Sequence, residues 1–395
     1  MPTNNIANFI LLPELKLKAS HRRGRYRKIY ECEKLKTPAV CPKCATLSQL
    51  GYDKRRVRLR DDRIRGCSIV LVVLKRRLWC KPCKKPFTEP LPGVIPRRRC
   101  TQRFRAAVSW AAENFTDLKK VRRAYRCSND FIYKALYESL ELKRKMNLYP
   151  WPESLGIDEH NFRRVRGHSG YRQFVTMVVD HKNKKLFEVC PSKTGNELKQ
   201  YLAHIPGREN VKKVTIDMSD SYKGFVKNFF PNAEIIADKF HVLRLITPYI
   251  NQLRREITGD KRNNPVRLLM LRNASNLAFY EKSALHKWLN QHPDLAETYL
   301  YKEALHKFYR IRGYDKAKRA LTKLTDRMAT SKLKHIIRLR KTLMKWRNEI
   351  LNYFKFRLTN ARTEGFNNVA KVIKRRSYGF RSFRNYRLRL LSACS

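Results

Sequence analysis

Acid is what this chain has least of. It has 33 Asp and Glu against 88 Lys and Arg in 395 residues, a formal net charge of +55. Self-repulsion at that charge opposes compaction, and few ordinary cytosolic enzymes acting on small anions carry such a field. No run of 18 apolar residues is present, so no spanning helix is expected. The opening stretch, MPTNNIANFILLPELKLK, lacks a basic start followed by a long apolar core, and a secretory signal is not expected. No Walker A sequence occurs, so ATP-driven chemistry is not indicated. Internal repeats and low-complexity tracts are missing as well.

What is present supports folded cores. Hydrophobic residues make up 42% and aromatics 11%, which separates this chain from a disordered basic tail. The length suggests two to four domains. A polyelectrolyte of this sign needs a polyanion, and nucleic acid leads because phosphate neutralisation supplies most non-specific binding. A membrane surface ranks second, but the basic residues are spread through folded-looking segments and not gathered in one amphipathic helix. The expectation is double-stranded DNA as partner, no membrane, and a reducing cytoplasmic setting.

The ten cysteines include two CxxC pairs, Cys41-Pro-Lys-Cys44 and Cys80-Lys-Pro-Cys83, with 35 residues between them. Two such knuckles close a tetrahedral thiolate site, because each turn aims two sulfurs at one point. Redox CxxC usually appears once and within a βαβ pattern, which is missing here. The reading is one structural Zn²⁺ held by Cys41, Cys44, Cys80 and Cys83. Cys32, Cys67 and Cys100 are read as bystanders, although Cys32 or Cys67 would be able to replace a ligand. A β-like run, CSIVLVVLKRRLWC (67–80), lies between the pairs.

Composition divides the chain further. Residues 1–35 are basic and weakly patterned, 36–95 hold the cysteine pairs, and PLPGVIP (90–96) reads as a hinge. Residues 97–148 read as helices. Helix 116–125, a turn at 126–128 and helix 129–140 fit a helix-turn-helix layout, with Ser128 as N-cap. Asn129, Asp130, Tyr133 and Lys134 would then lie near the DNA-reading end of the second helix, with Lys119, Lys120, Arg122 and Arg123 on the first. An ordinary helical hairpin is the competing reading. Residues 153–242 carry strand-like runs and then strand–helix alternation, which indicates a mixed sheet with helices on its faces. Residues 243–356 are almost free of Gly and full of helical spacing, with candidates at 242–257, 274–290, 294–308, 314–328 and 332–356. Residues 357–395 return with an amphipathic helix at 364–375.

Carboxylates at strand ends carry the chemistry. Asp158 closes Leu155-Gly156-Ile157-Asp158, and Asp217 closes Val214-Thr215-Ile216-Asp217. A lone carboxylate is poorly tolerated in a buried strand, so both should face a cleft or water. Asp180 and Asp238 end strand-like runs too and compete for the role. Glu364 shares a helix face with Asn368, Lys371 and Arg375, opposite Phe366, Val369, Ala370 and Ile373. Its i+4 neighbour is Asn368, so a simple helix salt bridge does not explain it, while a favourable dipole position capped by Asn360 or Thr363 would. Two strand-end aspartates and a helical glutamate suit two Mg²⁺ or Mn²⁺ ions and an in-line phosphodiester displacement.

At this point CPKC with CKPC, GIDEH, VTIDMSDSYKGFVKNFFPNAEIIADKFHV and NARTEGFNNVAKVIKRRSYGFRSF can be taken together. Over nearly its whole length the chain resembles the transposases of the ISL-three group of bacterial insertion sequences. The resemblance implies an α/β, RNase H-like catalytic domain interrupted by an all-helical insertion, preceded by a small zinc-binding module and a helix-turn-helix. It implies Asp158, Asp217 and Glu364 as the DDE triad, with Asp238 and His241 as a supporting Asp-x-x-His pair. It also implies terminal inverted repeats and target DNA as substrates, and self-association on DNA. The competing function is a non-catalytic zinc-finger regulator or a domesticated transposase that binds without cutting.

Overall fold

The computed structural model describes residues 12, 14–114, 117–146, 149–164, 172–259 and 265–395. They fall into two compact units, Met1–Asn147 and Leu148–Ser395.

The first unit begins with strands β1 (Leu15–Arg22), β2 (Arg27–Lys34), β3 (Ala39–Val40), β4 (Leu47–Ser48), β5 (Gly51–Ile64), β6 (Cys67–Cys80) and β7 (Lys85–Thr88). The main sheet runs β1-β2-β6-β5, and β7 pairs with the far end of β6. Strand β6 forms because its residues alternate: Ile69, Leu71 and Val73 are buried, against Leu15, Cys32 and Leu59. Residues 15–34, in a stretch that charge made look weakly patterned, are two paired strands. Exposed Lys16, Lys18, Arg22 and Lys28 interrupt the apolar alternation, and Lys34 is buried against Glu14 and Glu89.

Helices α1 (Gln102–Asn114), α2 (Leu118–Tyr125) and α3 (Asn129–Met146) follow. Val108, Ala111, Val121, Ile132, Leu136 and Leu140 form their shared core. The Asp117 carboxylate accepts from Lys120 N at 2.7 Å, and the Ser128 hydroxyl accepts from Phe131 N at 3.2 Å, which fixes both helix starts. The 90–96 stretch does not separate sheet from helices. Gln102 N donates to the Gly93 carbonyl at 2.7 Å, and buried Asp61 on β5 accepts from Thr101 Oγ1 and Arg103 Nε, each at 2.7 Å.

The second unit is built on a sheet of β8 (Ser154–Arg164), β9 (Arg172–Asp180), β10 (Lys185–Cys190), β11 (Lys213–Ile216) and β12 (Glu234–Ala237), in the order β10-β9-β8-β11-β12. The first three are antiparallel; β11 runs parallel to both β8 and β12. Helices α4 (Gly195–Leu202) and α5 (Asp220–Phe229) make the crossovers, and their Leu198, Leu202, Tyr222 and Val226 bury one face of the sheet.

Beyond β12 come α6 (Lys239–Arg244), α7 (Thr247–Thr258), α8 (Pro265–Leu271), α9 (Phe279–Asn290), α10 (Pro293–Phe308), α11 (Tyr314–Ala329), α12 (Lys334–Lys345) and α13 (Arg347–Phe356). The run read as one helix over 332–356 is two, broken at buried Trp346. Helix α8 was not anticipated. The chain returns along the sheet edge, where Asn352 Nδ2 donates to the Ile235 carbonyl at 2.8 Å. Helices α14 (Ala361–Arg376) and α15 (Phe383–Ala393) then cover the other face, with Ala370, Ile373, Tyr386 and Leu390 against Phe162, Val175, Met177 and Val179. No described helix is long and apolar enough to cross a membrane.

Candidate active site and metal centre

Register brings the aspartates together. Thr215 on β11 pairs with Gly156 on β8 and with Ile236 on β12. Two residues further along these parallel strands stand Asp158, Asp217 and Asp238. Strand side chains alternate, so Gly156, Asp158, His160 and Phe162 share the face that α14 covers, and Thr215 shares it too.

Helix α14 is fastened there by polar groups. Asn360, its N-cap residue, is 3% exposed and does not cap with its side chain. Its Nδ2 donates to the Ile157 carbonyl at 3.0 Å, and its Oδ1 accepts from Thr215 Oγ1 at 2.7 Å and Thr363 Oγ1 at 3.1 Å. Its backbone N–H donates to Asp238 Oδ1 at 2.9 Å. One residue thus touches β8, β11 and the end of β12. Gly156 makes room for it, since a Cβ there would lie 2.6 Å from Thr363 Oγ1 and 2.7 Å from Asn360 Oδ1. Two turns on, Asn367 Nδ2 donates to Asp158 Oδ2 at 2.9 Å. None of Asn360, Thr363 and Asn367 was singled out from sequence for this contact. Their +3, +7 spacing on one helix face was the available signal.

The exposed face is as the 3.6 periodicity predicts: Glu364, Asn368, Lys371 and Arg375 all meet solvent. The buried face differs at one position. Val369, expected inside, is 37% exposed, and the polar pair Thr363 and Asn367 is buried instead.

Each acid has its own environment. Burial pushes the Asp158 carboxyl up to about 6 despite the Glu159 N–H and His241. Burial also raises Asp217, whose Oδ1 is buried without a hydrogen-bond partner. Asp238 is the exception: burial pushes it upward, but the His241 and Asn360 hydrogen bonds hold it below the usual carboxylate range. His241 Nδ1 lies 3.0 Å from Asp238 Oδ2, and that contact raises the imidazole, whose positive form faces Asp158 and Asp217. Asp180 has a different job. Its buried carboxylate accepts from the Lys182 and Asn183 N–H groups at 2.9 and 3.1 Å and closes the β9–β10 hairpin. Glu364 is half exposed and lies 3.8 Å from Arg244, one turn beyond His241 on α6.

The acids are set more widely than the sulfurs of the first unit. Cys41, Cys44, Cys80 and Cys83 form the only group of three or more metal-binding side chains, among the described residues, whose ligand atoms lie within 4.8 Å of one another. The sulfurs of Cys41 and Cys83 are 4.0 Å apart and those of Cys44 and Cys80 are 3.4 Å apart. A tetrahedron with Zn–S bonds of about 2.3 Å has edges of about 3.8 Å, so the four thiols are compatible with structural zinc. Each knuckle is followed by a left-handed residue, Ala45 (φ 57) and Lys84 (φ 47), which turns the chain back beside the sulfurs. Cys32 and Cys67 lie in the separate core under β6. In the helical part, Lys134 pairs with Asp130 at 3.0 Å, Tyr133 is 44% exposed and stacks on Tyr137, and Asn129 is exposed.

A mixed sheet with acids at the ends of neighbouring strands, and a helix bearing a further acid fastened across them, is an arrangement suited to nucleic-acid chemistry. The chain belongs to the ISL3 family of DDE transposases, whose sequence model, described as Transposase, matches residues 155–390. It is 26% identical over 367 residues to the transposase for insertion sequence element IS1001 of Bordetella parapertussis, covering 90% of this chain and 88% of that one. It is 22% identical over 389 residues to the transposase for insertion sequence element IS1557 of Mycobacterium tuberculosis, covering 87% of this chain and 85% of that one.

Proposed function

We propose that the protein moves its own insertion sequence, cutting duplex DNA at the terminal inverted repeats and joining the freed 3′-hydroxyl to target DNA. The observation that carries this reading is the register of Asp158 and Asp217 on neighbouring parallel strands, with the Glu364 helix fastened across them through Asn367 and Asn360. In this reading the second unit is an RNase H-like domain split by helices α6 to α13. Residues 36–95 are its zinc-binding module, and α2 and α3 are a helix-turn-helix whose Asn129, Tyr133 and Lys134 meet the repeat.

Two Mg²⁺ or Mn²⁺ ions, when bound, would activate the attacking oxygen and steady the leaving one. The residues present suit hard cations. Asp217 Oδ1 is buried and unpartnered, and burial disfavours ionisation of both aspartates, so nearby positive charge would relieve both. Asp158, Asp217 and Glu364 would be the ligands, with Glu364 turning from Arg244 toward the aspartates. Asn367 orients the Asp158 carboxylate. Asp238 and His241 support the site and place positive charge beside it. The chain would act in the cytoplasm of a bacterium, on the nucleoid, as a self-associated assembly on paired DNA ends.

The test is nicking of DNA carrying the ends of the element, in Mg²⁺. Asp217→Ala should abolish nicking and leave end binding within a few-fold of wild type. A variant that still nicks removes the catalytic assignment. A wild-type protein that binds the ends and never cuts them favours a regulator.

A further inference from the structure

Tyr378 is 96% exposed, the most exposed of the large hydrophobic side chains among the described residues. It occupies a conformation that suits glycine. Its N–H bonds the Arg375 carbonyl at 3.1 Å, and the Gly379 N–H bonds the Lys374 carbonyl at 2.9 Å. That pair of bonds closes α14 in a Schellman turn, with Tyr378 at the left-handed position (φ 51) normally given to Gly. A bulky residue there is disfavoured, and this one gains no packing in return.

Its surroundings are of one sign. Residues 365–395 contain eight Lys and Arg and no Asp or Glu. Lys371 and Arg375 lie exposed along the face of α14 that begins with Glu364 and ends at this turn. At 1.5 Å per residue, that face extends about 20 Å from Glu364.

We propose that the turn 377–382 is a base-stacking site for DNA, with Tyr378 stacking on an unpaired base while Lys371 and Arg375 hold the neighbouring phosphates. This rests on DNA being the substrate but not on the assignment of the catalytic acids. Aromatic side chains among cations are the usual platform for bases released from a duplex, because every base offers a π-face. A second copy of this chain is a poorer occupant, since each copy carries +55.

The experiment uses full-length protein without divalent metal. It is titrated onto a short duplex of arbitrary sequence containing one unpaired 2-aminopurine, and onto the same duplex fully paired. Wild type should prefer the unpaired form by about tenfold and quench its fluorescence. Tyr378→Phe should keep both effects. Tyr378→Ala should lose both while its salt dependence stays unchanged, because the phosphate contacts remain. Tyr378→Gly should lose both and melt no lower than wild type, which separates stacking from folding. An equal preference in Tyr378→Ala overturns the proposal, as does a wild type indifferent to the unpaired base. So does an alanine variant that changes self-association in the absence of DNA and leaves base preference intact. Nicking plays no part in the readout, so failure of the catalytic reading would be seen separately.

Discussion

The side-chain amide of Asn367 donates to the carboxylate of Asp158, joining two residues 209 positions apart. Among the described residues it is the one side-chain donor placed on that carboxylate; the other oxygen accepts the N–H of neighbouring Glu159 at 2.8 Å. Asp158 therefore has a fixed orientation only while α14 is docked. On the proposed role of Asp158 as a metal ligand, Asn367→Leu should leave a folded protein whose nicking rate is about 10- to 100-fold lower and whose Mg²⁺ requirement is higher. Nicking at the wild-type rate across a Mg²⁺ titration would show that Asp158 needs no such support.

Gly156 sets how closely that helix approaches. Gly156→Ala would push a methyl group against Thr363, Asn360 and the His181 ring, whose Cε1 would lie 2.9 Å away. Overpacking of this kind costs about 1–3 kcal/mol. The expected result is a lower melting temperature for the second unit and a large loss of nicking, with zinc content unchanged. An alanine variant with wild-type nicking would mean that the helix does not need this depth.

His181 gives a pH signature. Its Nε2 lies 2.7 Å from Thr215 Oγ1, which itself donates to Asn360, so the imidazole donates from Nε2. Burial, with help from Arg362, holds it down at about 4. A histidine depressed on folding binds its proton in the unfolded chain first, so its contribution is complete above about pH 6.5 and is lost as pH falls toward 4. The size is about 3 kcal/mol. Asp158, raised to about 6, has the opposite sign across much of that window, so the comparison must be between variants. His181→Gln should flatten the fall in melting temperature between pH 6.5 and 4. An unchanged slope would place the acid sensitivity elsewhere.

Much of this site could be read in the sequence, and what could not has physical causes. Strand-end acids stand out because apolar β-runs seldom finish on a charge, yet the same pattern marked Asp180. What distinguishes it from Asp217 is its place, opposite Leu155 at the other end of β8, and the hairpin N–H groups it accepts. Periodicity found the solvent face of α14 correctly. It misplaced Val369 because this helix docks partly through Thr363, Asn360 and Asn367, and apolar spacing is blind to a polar contact. Strands β1 and β2 were hidden by their charge, and α15 by its alternation of Arg with Leu.

The four-thiol cluster of the first unit allows a measurement independent of DNA. Protein purified without chelator should hold one zinc per chain, and Cys80→Ser should lose it. Cys80 is buried beside Leu78 and Phe87, so loss of the metal should expose β6 and β7 to protease while residues 148–395 keep their own melting transition. Metal-free protein with an unchanged digestion pattern would show that the four thiols stand without an ion.

The sheet and the third acid are far apart in time as well as in sequence. Residue 217 leaves the ribosome with 146 more to come before Glu364, roughly 7–30 s at ordinary synthesis rates. Strands β8 to β12 and the helices after them can settle in that interval, with the α14 face of the sheet still bare. The site then closes by docking a single helix at the end of synthesis. A nascent or truncated chain that stops short of residue 357 carries both aspartates in register but lacks the Asn367 amide that orients Asp158.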